Sequence, residues 1–146
     1  MKRLVSRWAL QMLVILGGLL AQPAIAQDID PNPSDWQSVI SGQIEAFRTG
    51  EDATALFYAG KFFRSAYASP ANFVRAIRLQ GYEAIIESVG HVFGTYELVT
   101  ETSVLQIVDF QGGDLHGYRA LYQIGLEDEG WRVQGVMLRE MPGVNI

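Results

Sequence analysis

The pattern of apolar residues predicts an amphipathic helix over Ser34–Gly50. Five side chains recur there at i, i+4, i+7, i+8 and i+11, which places them on one stripe of a helix. The stripe consists of Trp36, Ile40, Gln43, Ile44 and Phe47. Ser34 with Gln37 has the form of a capping box, and Asp35 is an alternative cap. Gly50 stands where a left-handed C-cap is expected, so the helix has both a start and a stop signal.

Two shorter helical segments are predicted after the first helix. The alanine-rich stretch Asp52–Ala59 is expected to be helical, with Asp52 as its cap and a break at Gly60-Lys61. A third helix is expected to begin at Ser69-Pro70, because serine is a good cap and proline is favoured in the first turn. Gly81 is expected to end that helix. Three helical segments therefore occupy the first half of the chain.

In the second half the apolar period changes from 3.6 to 2, which indicates β-strands. Strands are predicted near Val89–Thr100, Ser103–Gln111, Leu115–Glu127 and Trp131–Met141. Gly112-Gly113-Asp114 and Asp128-Glu129-Gly130 have the composition of hairpin turns. Helices followed by an antiparallel meander predict an α+β fold, in which a twisted sheet curves around the first helix.

Trp36 and Trp131 are expected to anchor the core, one from the first helix and one from the last strand. Alternation along that strand predicts which side chains share a face. One face would carry Trp131, Val133, Gly135 and Met137.

The first 26 residues have the pattern of a secretory signal peptide. Lys2, Arg3 and Arg7 precede an apolar run over Trp8–Ala21, and Ala24-Ile25-Ala26 is a suitable cleavage site. The alternative is an uncleaved membrane anchor, but the run is shorter than the roughly 20 apolar residues that a spanning helix needs. We expect a periplasmic or secreted product, cleaved after Ala26 and free of the membrane. Residues 27–33 would then form a flexible arm, and 34–146 a single domain.

Charge and composition exclude several classes of function. Cleavage leaves 8 basic and 16 acidic residues, a net charge of −8, which does not suit nucleic acid as a partner. The chain has no cysteine, so neither disulfides nor thiol chemistry are available. No phosphate loop or dinucleotide fingerprint occurs, and no cofactor is expected. The two histidines, His91 and His116, are far apart and do not suggest a metal site.

Three motifs resemble a known family. They are Trp36-x-x-Val39-x-x-x-Gln43-x-x-Ala46-Phe47, Ser69-Pro70-x-x-Phe73 and Gly130-Trp131-Arg132-Val133-x-Gly135-Val136. Together they resemble the small secreted bacterial proteins grouped as domain of unknown function 4864 (DUF4864). That family looks like a branch of the nuclear-transport-factor-2-like (NTF2-like) superfamily. The resemblance covers nearly the whole chain after the leader.

The resemblance implies a cone-shaped α+β fold, with three N-terminal helices packed on a curved four-stranded antiparallel sheet. It does not imply one function, because the superfamily includes isomerases, dehydratases, hydrolases and non-catalytic binding or assembly domains. Function must therefore be argued from the site.

A modest and mostly apolar cleft is expected between the first helix and the sheet. The candidate ligand-binding residues are Gln43, Phe47, Tyr96, Tyr118 and Tyr122. Gln43 is the polar member of an apolar stripe, and it has two interpretations. It either makes a structural hydrogen bond, as buried amides must, or it orients a ligand.

Two functional hypotheses follow from these residues. The favoured one is non-catalytic: the domain binds a small apolar ligand, or it pairs with a second copy or a partner protein through the sheet. The alternative is a small isomerase, dehydratase or hydrolase that uses Asp109 with a tyrosine of the cleft. Asp109 lies in an otherwise apolar strand, and as a catalytic acid it would need burial to raise the pKa of its carboxyl. The simpler interpretation, which is favoured, is an acid at the end of the strand near the hairpin. The first hypothesis is favoured because no acid–base pair stands out.

Overall fold

The computed structural model describes residues 31–145. The predicted signal peptide, and most of the predicted arm, lie outside the described residues. The helical segments are α1 (Pro33–Thr49), α2 (Asp52–Phe57), α3 (Lys61–Ala66), α4 (Pro70–Ile77), a π-helical segment (Arg78–Tyr82) and α5 (Glu83–Ile86). The strands are β1 (Gly90–Thr100), β2 (Ser103–Gln111), β3 (His116–Glu127) and β4 (Gly130–Asn145). Within residues 31–145, no helix is long and apolar enough to cross a membrane.

Helix α1 begins one residue earlier than predicted. Asn32 is its N-cap, and the Oδ1 atom of Asn32 accepts a hydrogen bond of 3.1 Å from the Ser34 N–H. Pro33 occupies the first helical position, where its missing N–H leaves no donor without a partner. The predicted cap at Ser34 or Asp35 is therefore wrong. Gly50, with φ of 72°, is the left-handed C-cap, as predicted.

The short helices are more numerous than predicted. Gly60 does interrupt the helical structure after α2, as predicted. It is also the N-cap of α3, a helix that was not expected. Ser69 caps α4 through its hydroxyl, as predicted. Gly81, with φ of 94°, kinks the helical region rather than ending it. The extra turn, α5, buries Ile85 and Ile86 in the core.

The sheet is an antiparallel meander in the order β1-β2-β3-β4, as predicted. A bulge in β4 changes which side chains face inward. Ile124 of β3 pairs with Val133, whereas Gln123 pairs with Gly135, so one residue of β4 is extra. An extra residue moves the following side chains to the opposite face. The predicted alternation is therefore wrong beyond Val133, and Met137 is 71% exposed on the outer face.

The core lies between α1 and the inner face of the sheet. Its fully buried members include Trp36, Ile40, Ile44, Val104, Val108, Ala120 and Ile124. Trp36 is thus a core anchor, as predicted. Trp131 is only half-buried and packs edge-to-face on Trp36, with 5.6 Å between the ring centroids.

A buried glutamine ties α1 to the sheet. The Oε1 atom of Gln106 accepts hydrogen bonds from Trp36 Nε1 at 3.0 Å and from Gln37 Nε2 at 3.1 Å. Its Nε2 atom donates to the main-chain oxygens of Gly94 at 3.0 Å and Ile107 at 2.9 Å. Gly94 lies where the register of β1 shifts against β2. Both ends of this amide are satisfied, so it holds the helix and the irregular strand together.

Candidate functional site

A cavity of about 180 Å³ lies between α1, the shorter helices and the inner face of β3 and β4. Most of its wall is apolar and includes Phe47, Phe63, Phe73, Ile77, Ile85 and Val136. The polar lining residues are Gln43, Gln80, Tyr82 and Tyr122. No charged residue in the described part of the chain lines it. An apolar cavity of about 150 Å³ is large enough for benzene, so this one can hold a molecule of roughly one ring.

An aromatic cluster around Phe73 builds one wall of the cavity. The Phe73 ring stacks on Phe47 of α1 at 6.1 Å between centroids. It also contacts Phe63 of α3 at 6.2 Å and Tyr67 at 5.5 Å. Packed aromatic rings of this kind add stabilisation beyond the area that they bury. Three helices are thus fixed against one another where they enclose the cavity.

Gln43 reaches the cavity from the middle of α1. It is 3% exposed, and its Nε2 atom donates a hydrogen bond of 3.0 Å to the main-chain oxygen of Ala55 in α2. This contact settles the orientation of the amide, because only the NH₂ group can donate to a carbonyl. This hydrogen bond is the structural contact that one interpretation of Gln43 predicts, and it holds α2 against α1. Gln43 also lines the cavity, and no hydrogen bond within residues 31–145 involves its Oε1 atom.

Two tyrosines line the cavity and differ in what their hydroxyls do. The Tyr82 hydroxyl donates to the main-chain oxygen of Val136 at 2.8 Å, which fixes the end of the π-helical segment on β4. Tyr122 of β3 is 1% exposed, and its hydroxyl has no hydrogen-bond partner within residues 31–145. Burial raises the pKa of Tyr122, so the phenol stays protonated and can donate.

The structure brings together three of the five candidate ligand-binding residues: Gln43, Phe47 and Tyr122. Tyr96 lies elsewhere, packed edge-to-face on Trp36 at 5.2 Å between centroids. Tyr118 lies near the β2–β3 hairpin, where its hydroxyl donates to Asp114 Oδ2 at 2.6 Å. Neither Tyr96 nor Tyr118 is among the residues that line the cavity.

Asp109 lies on the outer face of the sheet, away from the cavity. It is the cross-strand partner of Arg119, and its carboxylate accepts two hydrogen bonds from that guanidinium, at 2.7 and 2.9 Å. The side chain is 46% exposed. Hydrogen bonds from Arg119 lower the pKa of Asp109, the reverse of what a buried general acid needs. The geometry therefore gives no support to catalysis by Asp109 with a cavity tyrosine.

A polar cluster that the sequence did not predict connects α1 to the start of β1. His91 Nε2 lies 3.0 Å from Ser41 Oγ, and His91 Nδ1 lies 3.2 Å from Arg48 Nη2. A guanidinium can only donate, so Nδ1 must be the acceptor and Nε2 must carry the hydrogen. His91 therefore donates to Ser41 and cannot take its proton as a general base would. Arg48 also donates to Ser88 Oγ, so the cluster braces the helix on the strand.

The cavity residues that the sequence analysis missed come from the shorter helical segments and from β4, which contributes Val133, Gly135 and Val136. Phe73 and Ile77 stand four residues apart on α4, a spacing that places two side chains on one helix face. That spacing was visible in the sequence. Tyr82 and Ile85 follow the kink at Gly81, and no sequence signal placed them at a cavity.

Two solved structures are similar to the chain. An NTF-2 like protein of unknown function from Silicibacter pomeroyi DSS-3 is 11% identical with a TM-score of 0.50, over 74% of this chain and 94% of that chain. A protein from Kribbella flavida DSM 17836 is 14% identical with a TM-score of 0.45, over 75% of this chain and 89% of that chain. The first likeness shows the fold, which is NTF2-like, and the second score is too low to support an argument.

No curated protein matches the chain. The family model described as Domain of unknown function (DUF4864) matches residues 30–146. The three motifs around Trp36, Ser69 and Trp131 lie within this range and within the described residues. The protein therefore belongs to the DUF4864 family and has an NTF2-like α+β fold.

Proposed function

We propose that this domain is a non-catalytic binding module for a small, mostly apolar molecule. The observation that carries the proposal is the cavity itself, with an apolar wall, no charged lining residue among those described, and a few polar lining residues that include Gln43 and Tyr122. Ligand sites in proteins commonly combine an apolar lining with a few placed polar groups. Catalysis is not part of the proposal, because the lining residues within 31–145 include no acid–base pair.

Thermal unfolding with a panel of neutral compounds of about six to ten non-hydrogen atoms tests the proposal. Binding to the native state stabilises it by about 2.7 kcal/mol when the ligand is at one hundred times its Kd. For a domain of this size, that corresponds to a rise in Tm of roughly 10 °C. A panel in which no compound raises the Tm would refute the proposal.

Two neighbouring residues of β4 offer a matched pair of variants. Val136 lines the cavity, and Met137 points to the opposite face of the sheet. Val136→Phe should fill part of the cavity and remove the ligand-induced rise in Tm. Met137→Phe should retain the rise, because the same side chain on the outer face leaves the cavity unchanged. Equal loss in both variants would contradict binding in the cavity.

A second candidate function is self-association through the outer face of the sheet. Ile107, Leu121 and Met137 are cross-strand neighbours there and form a continuous apolar row. The Asp109–Arg119 pair flanks this row and supplies both charge signs, which is compatible with a self-complementary two-fold interface. Light scattering after size-exclusion chromatography should then give twice the mass of one chain. Met137→Glu should halve that mass, and a monomeric wild type at high concentration would refute the association.

We also propose that the domain works outside the cytoplasm, as a periplasmic or secreted protein. The support is the signal-peptide pattern over residues 1–26, with its basic start, apolar run and Ala24-Ile25-Ala26 site.

A further inference from the structure

One residue that lines the cavity, Tyr122, has a buried hydroxyl group without a partner among the described residues. Tyr122 is 1% exposed, and no hydrogen bond among residues 31–145 involves its hydroxyl. Buried tyrosine hydroxyls ordinarily find a partner. Among the described residues, Arg132 Nε is the one side-chain atom that is both inaccessible to solvent and unpaired, so the Tyr122 hydroxyl is not such an atom. Tyr122 is a lining residue of the cavity, and its hydroxyl is a donor.

A second lining residue, Gln43, has an acceptor without a partner among the described residues. The Nε2 atom of Gln43 is bonded to the Ala55 oxygen, which leaves Oε1 at the other end of the amide. No hydrogen bond within residues 31–145 involves this oxygen, and it is not among the solvent-inaccessible atoms that lack a partner. An amide oxygen can only accept. Tyr122 and Gln43 thus present one donor and one acceptor to whatever occupies the cavity.

From this pair we infer that the ligand is a neutral molecule with one hydroxyl group, a small alcohol or phenol, whose oxygen accepts from Tyr122 and whose hydrogen is donated to Gln43. The inference rests on the proposed binding function and names its ligand class. Other groups match the pair less well. A ketone or ether accepts from Tyr122 but leaves the Gln43 oxygen unpaired, and a hydrocarbon leaves both groups unpaired.

Charged ligands are disfavoured by the same lining. A carboxylate cannot donate to the Gln43 oxygen, and no cationic residue among those described lines the cavity to offset its desolvation. An ammonium group finds no anionic partner among the lining residues that the structure describes. The volume of about 180 Å³ is close to the roughly 150 Å³ of an apolar cavity that holds benzene, so the apolar body is about the size of one six-membered ring.

Calorimetric titration with four probes of nearly equal size tests this inference. The probes are phenol, toluene, anisole and benzoate. Water hydrates phenol better than toluene, so an apolar cavity without polar partners would bind toluene more tightly. We expect phenol to bind the wild type at least as tightly as toluene, and more tightly than anisole, which accepts but cannot donate. Benzoate is expected to bind most weakly.

Tyr122→Phe removes one hydroxyl and leaves the cavity almost unchanged in volume. It should shift the ratio of the phenol and toluene Kd values at least tenfold in favour of toluene. Tyr118→Phe is the matched control, since it removes a hydroxyl from the same strand but outside the cavity, and it should leave the ratio unchanged. The proposed alcohol or phenol class would be overturned if the wild type bound toluene more tightly than phenol. It would also be overturned if Tyr122→Phe did not change the ratio of the phenol and toluene Kd values. Either result would leave the binding function in place. Tightest binding by benzoate would also overturn it, and failure of all four probes to bind would overturn both proposals.

Discussion

Replacing Gln106 with leucine tests whether one amide joins α1 to the irregular part of β1. Leucine has a similar volume, so the change removes the hydrogen bonds and leaves little empty space. The Trp36 Nε1–H, which is fully buried, loses its acceptor at 3.0 Å. The carbonyl of Gly94 loses its donor as well, but it lies on an exposed part of an edge strand, where water can replace the lost bond.

The expected loss of stability follows from these two contacts. A buried donor left without a partner costs about 1–3 kcal/mol. Burial of the apolar leucine side chain offsets part of this cost, while loss of the bond to the irregular part of β1 lowers the stability further. The net expectation is a fall of about 2 kcal/mol in the free energy of unfolding. For a domain of this size, the Tm should then fall by roughly 8 °C.

Urea unfolding of a double-mutant cycle measures the effect. Gln106→Leu should cost much less in a Trp36→Phe background, because no indole N–H then remains to be left unpaired. Gln37→Leu is the control: it removes a half-buried second donor to the same oxygen and should cost less than about 0.5 kcal/mol. The reasoning is refuted if Gln106→Leu is as stable as the wild type, or costs the same in both backgrounds.

Three further predictions concern titration and processing. The Asp114 carboxylate, which accepts a hydrogen bond from the Tyr118 hydroxyl, raises the pKa of Tyr118 to about 12. Ultraviolet titration should show this late ionisation. Asp114→Asn should return the pKa of Tyr118 towards its ordinary value. Burial and the nearby Arg48 lower the pKa of His91, so the unfolded state binds more protons than the folded state near pH 6. The free energy of unfolding should therefore fall as the pH drops through 6.5. A rise over that range in urea unfolding would contradict this. Mass spectrometry of exported protein should find a chain that begins at Gln27, and a full-length chain in the membrane fraction would disprove cleavage.

The sequence was sufficient for the elements whose signals are local. The stripe on α1 follows from a 3.6-residue period, and the C-cap follows from Gly50, which adopts φ of 72°. The N-cap was misjudged because two capping patterns compete there. Pro33 is well suited to the first helical position, and that placement makes Asn32 the cap instead of Ser34.

Features that depend on register were harder to predict. Asp109 and Arg119 are equidistant from the β2–β3 hairpin turn, and this symmetry makes them cross-strand partners. Asp109, considered alone, looked like a candidate acid, whereas the pair is an ion pair on the outer face. The bulge in β4 has no clear sequence signal, because the residues around it still alternate acceptably. One extra residue nevertheless exchanged Met137 for Val136 on the inner face.

Two buried glutamines of the core show that residues which stabilise the fold can be distinguished from residues which bind a ligand. Gln106 has partners at both ends of its amide, so it completes the fold and has no free group for a ligand. Gln43 has a partner at its nitrogen, while its oxygen and the Tyr122 hydroxyl have none within the described residues. Buried polar groups are normally hydrogen-bonded, so the unpaired Gln43 oxygen and Tyr122 hydroxyl contribute nothing to the stability of the fold. Gln106→Leu should therefore lower stability and leave the preference for phenol over toluene unchanged, whereas Tyr122→Phe should change that preference with little loss of stability. If both variants changed stability and preference together, the polar groups of the cavity would belong to the scaffold and not to a binding site.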